Sequence, residues 1–358
     1  MTAATDEGDA AESSPPSPAP LRLRGFIGRS LALATSASPR IRGASLYVSL
    51  HYLALLAPVV VLVSVIADRR PALVSAFVEG VAFAALSPDE EAIVSLLGLS
   101  FLVVFLGVVA LAIDCQALAV AVLGSTAVGP PLALREALRR SRQSFWRIVR
   151  ASLITWLPLV VVGQVASGFL SGILGPATES TALATTALTT VLGVPFAYTV
   201  TAIVLGDAGA RAAVVRSFRL ARAVWRLAFV VALVGAFATE LAVFGFGAAI
   251  GLVGTVGQAV GLGFGSGPAT TFLTLVITLL VVASAGSLQL TVTAVVAAPQ
   301  VAAFLGLGED AAGLDRAREE AGSGAPARVR WVSWPMAAGI AVTVFCSLAG
   351  LRLVLDPG

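Results

Sequence analysis

The chain has 358 residues, of which 58% are hydrophobic and 12% charged, against about 45–50% apolar and about 25% charged in a soluble domain. This balance excludes one water-soluble core and points to apolar segments of about 20 residues that cross a bilayer. The formal charge of +3 is the remainder of charges segregated along the chain, and it gives no reason to expect a nucleic-acid partner.

Residues 1–20 are acidic, with Asp6, Glu7, Asp9 and Glu12 set among Pro, Ser and Ala. A secretory signal opens with basic residues and an apolar core, so this segment is not one. It holds too little apolar area to offset its ordering entropy and is predicted to be a disordered tail. A basic juxtamembrane segment, 21–43, follows. Seven apolar runs then stand out, at 44–67, 93–124, 151–175, 182–205, 226–252, 271–304 and 331–354. Each covers about 30 Å of hydrocarbon at about 1.5 Å per residue. They are continuous and do not alternate with a period of two, so they predict helices, not a barrel. Pro58, Pro158 and Pro195 inside the runs predict kinks. The main membrane domain is 44–304, a charged cytoplasmic linker fills 305–330, and 331–358 holds the last helix and a short tail. Segment 68–92, with Arg69 and Arg70 at one end and Asp89, Glu90 and Glu91 at the other, reads as an interfacial helix on the outer face. Its alternative is a short re-entrant element at 72–86. The stretch Gly254–Gly267, with six Gly and no charge, reads as an outer loop or helix end.

Arginine carries the topology. There is no Lys, and 20 of the 23 Arg fall in four segments, 21–43, 125–150, 206–226 and 305–330. The intervening segments hold only Arg69, Arg70 and Arg352. Short Arg-rich segments stay cytoplasmic. The expected orientation therefore has the N-terminus inside and, after seven crossings of the cell membrane, the C-terminus outside.

An internal repeat is also expected. Phe145-Trp146-Arg147 closes one basic segment and Val224-Trp225-Arg226 the next, while Leu123-Gly124 and Leu205-Gly206 precede them. Thr199–Val204 and Thr291–Val296 read alike. The expected fold is all-α, one leading helix and three repeated hairpins with basic amphipathic cytoplasmic linkers. Leu134, Leu138, Phe145 and Val149 mark the apolar stripe of one linker, and Val214, Phe218, Ala221 and Trp225 that of the other. Arg139, Arg142, Arg147, Arg216, Arg219, Arg222 and Arg226 are candidate contacts for lipid phosphates, each worth about 1 kcal/mol near an anionic surface. Plain topology determination and anchoring account for the same arginines.

Polar residues within the runs are few. Glu240 near the middle of the fifth run is the sharpest, since a carboxylate there costs about 2.5–3.5 kcal/mol on insertion. Gln164, Asp114, Tyr198 and Gln289 complete the candidate intramembrane site. They line a polar cavity or serve as interhelical hydrogen-bond glue; Asp114 is also placed to meet an Arg from a linker. Cys115 and Cys346 read as small buried hydrophobes. His51, the single His, lies near Tyr47 and Tyr52 and reads as an aromatic-belt residue. Without Lys or a second His there is no P-loop Lys, Schiff base or His-x-x-x-His zinc pair, and no cofactor or metal is expected.

The run Tyr198–Val204, the segment from Ala213 to Arg226 with Arg216-Ser217 and Trp225-Arg226, and the counterpart around Trp146-Arg147 resemble a group of bacterial polytopic proteins. The group includes the membrane domain of some glycerophosphodiester phosphodiesterases, and the resemblance spans about 93–330. No catalytic residue carries over. The expected function is non-enzymatic: an accessory or scaffold protein of the envelope, with anionic lipid headgroups and a possible protein partner at its cytoplasmic face. The alternative is a transporter or permease subunit working around Glu240.

Overall fold

The computed structural model describes residues 23–70, 72–73, 86–174, 179–264, 268–323 and 331–355. The acidic tail and the centre of segment 68–92 lie outside them. Among the described residues the chain forms helices and no strand: α1 (Leu23–Arg69), α2 (Pro88–Ala127), α3 (Leu134–Leu174), α4 (Glu179–Gly193), a 3-10 turn (Val194–Phe196), α5 (Thr199–Val204), α6 (Ala210–Ala223), α7 (Trp225–Phe264), α8 (Pro268–Gly306), α9 (Ala312–Gly322) and α10 (Trp334–Leu355). Six helical stretches are long and apolar enough to cross a membrane. A seventh is added if α6 and the start of α7, which meet at 114°, form one span.

Each of the seven apolar runs falls mainly in helix, but the fourth is interrupted at 194–198, the seventh enters helix at Trp334, and α1 starts some 20 residues before its run. The reason is a buried stripe. Phe26, Leu33, Ala37, Ala44, Val48, Leu55, Val59, Leu62 and Ile66 are all buried and recur at steps of three, four or seven, so one face of one helix continues through the basic segment. At about 1.5 Å per residue α1 is about 70 Å long, more than twice a hydrocarbon core. Helix α2 starts at a capping box, Ser87 Oγ accepting from Glu90 N–H and Glu90 Oε2 from Ser87 N–H, with Pro88 in the first turn. The helix runs through Pro58 in α1 and Pro158 in α3, whereas Pro195 breaks its span into a 3-10 turn. Ser217 of α6 braces that break, donating to the Pro195 carbonyl at 2.8 Å and accepting from Tyr198 N–H at 3.1 Å. Helix α7 continues through most of the Gly-rich stretch to Phe264.

Helices α1, α2 and α8 pack on one another, α10 packs on α1 and α2, and the most extensive contact is α1 against α8, while α3 joins α2 and α7 joins α8. Gly286 permits the α1–α8 approach: a Cβ there would stand 2.8 Å from Ser49 Cα. The densest core lies at the end of the bundle where the Arg-rich segments gather. Every residue from Ala117 to Ser125 of α2 is buried, enclosed by the start of α3, by α5 and by the ends of α8 and α9. Gly124 lies under the Leu205 side chain, with no room there for a Cβ. His51, Tyr47 and Tyr52 are buried and face the protein interior, not an aromatic belt, because they fall on the side of α1 that packs against its neighbours.

Candidate functional site

The basic end is a network of ion pairs built around the short helix α5. A helix ends with four carbonyls that lack intrahelical partners, and here they are accounted for one by one. Thr201 O takes Leu205 N–H at 2.8 Å, and Ala202 O takes Ala208 N–H at 3.2 Å. Arg140 donates from Nη2 to Ile203 O at 3.1 Å and from Nε to Val204 O at 2.9 Å. Beyond these four, the carbonyl of the capping residue Leu205 accepts from Gly313 N–H, at the start of α9, at 2.6 Å. The Arg140 side chain is 2% exposed, and the negative end of the α5 dipole explains why a cation is held there.

Asp207 balances it. This residue adopts φ 52°, a left-handed conformation that Asp tolerates better than most side chains. Its Oδ1 pairs with Arg140 at 2.9 Å and Arg147 at 2.7 Å, and its Oδ2 with Arg316. Burial acts to raise its pKa, but the hydrogen bonds from Arg147 and Arg140 prevail and hold the carboxyl below its ordinary value. A depressed carboxylate pKa contributes stability above the unfolded value, about 3.9, and loses it as pH falls toward the folded one. The melting-temperature gap between the wild type and Asp207→Asn should therefore be constant from neutral pH to about pH 5 and narrow below about pH 4; a gap that widened in acid would contradict the assignment.

A second buried cluster joins α1, α2 and α3. Arg142 pairs with Asp114 and donates to the Tyr47 hydroxyl, which donates to the Trp331 carbonyl at 2.6 Å. Ser141 donates to the Asp114 carbonyl at 3.2 Å, and His51 Nδ1 lies 2.8 Å from Tyr47 O. Further out, Arg216 pairs with Glu309 and Asp310, Arg139 with Glu320 at 3.7 Å, and Arg318 donates to the carbonyls of Val128 and Pro130.

These contacts narrow the candidates. Arg142 is turned to Asp114 of α2, and Arg139, Arg147 and Arg216 to acids of the 207 turn and the 305–323 segment, which fold back over the basic end. Arg219, Arg222 and Arg226 are exposed and have no carboxylate partner among the described residues. The face of α6 buried in the protein is Ala213, Ser217, Leu220 and Ala221, while Phe218 and Trp225 of the expected apolar stripe are each 51% exposed. Of the intramembrane candidates, Asp114 and Tyr198 are buried, Gln164 and Glu240 are exposed, and Gln289 lines a cavity of about 970 Å³ that Glu240 does not reach. The candidates are thus not gathered into one site. Arg140, Asp207 and Arg316, which organise the basic end, were not among them. The available signal was Asp207 itself, an acid in a Gly-Asp turn between two Arg-rich stretches.

Among the described residues no group of three or more His, Cys, Asp or Glu could hold a metal ion. Among the described residues the chain is all-helical, with several helices long and apolar enough to cross a membrane. Comparison with protein-family models, with curated proteins and with solved structures finds no match.

Proposed function

We propose that this chain is a non-enzymatic multi-pass protein of the cell membrane that engages anionic phospholipid headgroups at its cytoplasmic face, in an accessory or scaffold role. The N-terminus is inside and the C-terminus outside. The observation that carries the reading is the exposed face of α6. Val215, Phe218 and Arg222 follow at helical steps with Arg219 beside them, and all are exposed. At the 114° corner with α7, α6 lies close to the plane of a bilayer that α7 crosses. Aromatic and aliphatic side chains then enter the interface while the guanidinium groups stay among phosphates. Of the candidate arginines, Arg139, Arg142, Arg147 and Arg216 spend their charge on internal carboxylates, which leaves Arg219, Arg222 and Arg226 for headgroups.

The hairpin repeat belongs to the same reading. Its support is a shared order, apolar helix, short turn and polar helix, in α2 to α3, α5 to α7 and α8 to α10.

The test is native mass spectrometry of the protein released from mixed phosphatidylcholine–phosphatidylglycerol nanodiscs. Arg219→Gln/Arg222→Gln/Arg226→Gln should lower retained phosphatidylglycerol affinity roughly a hundredfold, at about 1 kcal/mol for each Arg. Arg139→Gln, whose partner is Glu320, should leave it unchanged. Equal retention by the triple variant and the wild type would remove the proposal.

A further inference from the structure

A cavity of about 970 Å³ lies between α2, α4, α7 and α8, at the upper end of the about 300–1,000 Å³ typical of small-molecule sites. Its wall has a distinct chemistry. Among the described residues it carries no charged side chain, but three carboxamides line it: Gln116 from α2, and Gln289 and Gln300 from α8. Gln116 is exposed in the middle of a helix stretch whose neighbours, Cys115 and Ala117, are fully buried, so its exposure is toward the cavity. Carboxamides in an apolar wall cost roughly 1–3 kcal/mol each unless something pairs with them. The remaining wall is mostly aliphatic and aromatic, with Tyr52 and three threonines, Thr189, Thr190 and Thr293, whose hydroxyls donate to carbonyls of their own helices. The mouth opens on the apolar flank of the bundle, where Phe105 is 64% and Leu288 44% exposed.

These features select the occupant. A charged headgroup would be stripped of water with no counterion in reach. A plain hydrocarbon would leave the amides unpaired. A water-soluble solute has no apolar body to fill the space and would have to enter through lipid. We infer that the cavity is a binding site for an uncharged lipid drawn laterally from the bilayer, a long-chain molecule of diacylglycerol chemistry whose hydroxyl and ester groups pair with Gln116, Gln289 and Gln300. The site is separate from the α6 surface and does not depend on it.

The test uses the full chain in phosphatidylcholine nanodiscs. One arm contains a trace of diacylglycerol with a diazirine in one acyl chain, the other phosphatidylglycerol with the same chain. After photolysis, peptide mass spectrometry should place the diacylglycerol adducts on residues 101–120 and 285–300. Excess dioleoylglycerol should reduce them about tenfold, while the phosphatidylglycerol probe labels the outer faces of α3 and α10 instead. Gly235→Trp fills the space, since Gly235 lines the cavity and a Cβ there meets only Val296, at an ordinary 3.5 Å, and it should abolish the competed labelling with the melting temperature retained. Ala285→Phe serves as a second filling variant. Arg219→Gln/Arg222→Gln/Arg226→Gln should leave the adducts unchanged, which separates this site from the headgroup surface. Labelling that dioleoylglycerol does not compete, that the phosphatidylglycerol probe matches, or that survives both filling variants would overturn the inference.

Discussion

Asp207→Asn should lower the stability of the folded protein by about 3–5 kcal/mol, the usual cost of removing one partner from a buried ion pair. The substitution leaves three guanidinium groups, Arg140, Arg147 and Arg316, around a neutral amide. Arg140 cannot turn to solvent, because its Nε and Nη2 are committed to the carbonyls that end α5. The damage should therefore reach beyond the turn itself and loosen α5, the start of α3 and α9 together. Thermal unfolding in detergent followed by tryptophan fluorescence reads the loss. Asp315→Asn is the matched control: Asp315 also pairs with an arginine, Arg318, but is 61% exposed, and such pairs contribute about 0–1 kcal/mol. Equal melting temperatures for the two variants would refute the central place given to Asp207.

Gly286→Leu should be comparably severe by an unrelated route. Even the Cβ would lie 2.8 Å from Ser49 Cα and 3.1 Å from Ser49 N, and backbone cannot swing aside as a side chain does. The α1–α8 contact must open along its length, and overpacking of this kind costs about 1–3 kcal/mol, with more for a side chain as large as Leu. The hydrogen bond from Ser49 Oγ to Ala283 O, 2.7 Å, would be lost with it. Gly28→Ala, where a Cβ meets nothing within 4 Å, should gain about 0.5–1 kcal/mol from better helix propensity. The two glycines sit in helix interiors alike, so opposite signs in one melting assay would show that the contact decides the outcome. A loss at Gly28 equal to that at Gly286 would argue against it.

The membrane helices were legible because bilayer thickness and backbone hydrogen bonding impose a length and an apolarity that a single chain displays. The early start of α1 was legible in principle: the stripe Phe26, Leu33, Ala37, Ala44 is written in the sequence, but the arginines at 22–42 drew attention to charge before period. The break at Pro195 was visible as a Pro, though whether it bends a helix or ends one depends on Ser217, 22 residues away. At the basic end, the meeting of Asp114 with an Arg from a linker was legible, but not which Arg, nor the pairs around Asp207. Arg142 meets Asp114 across 28 residues, Arg147 meets Asp207 across 60, and Arg316 meets Asp207 across 109. Pairing over such separations follows from how helices stack, and no local pattern encodes it. Glu240 illustrates the converse, since its position at mid-helix was evident from sequence while the face it presents was not.

The hydrogen bond from Gly313 to Leu205 has a consequence for biosynthesis. The carbonyl of Leu205, which caps α5, waits for a donor encoded more than 100 residues later, after α6, α7 and α8. While the ribosome completes those segments, the buried stretch of α2 stands without its lid. Nascent chains released before α9 would thus present a partly open core to quality-control proteases, whereas chains lacking only α10 would already have closed it.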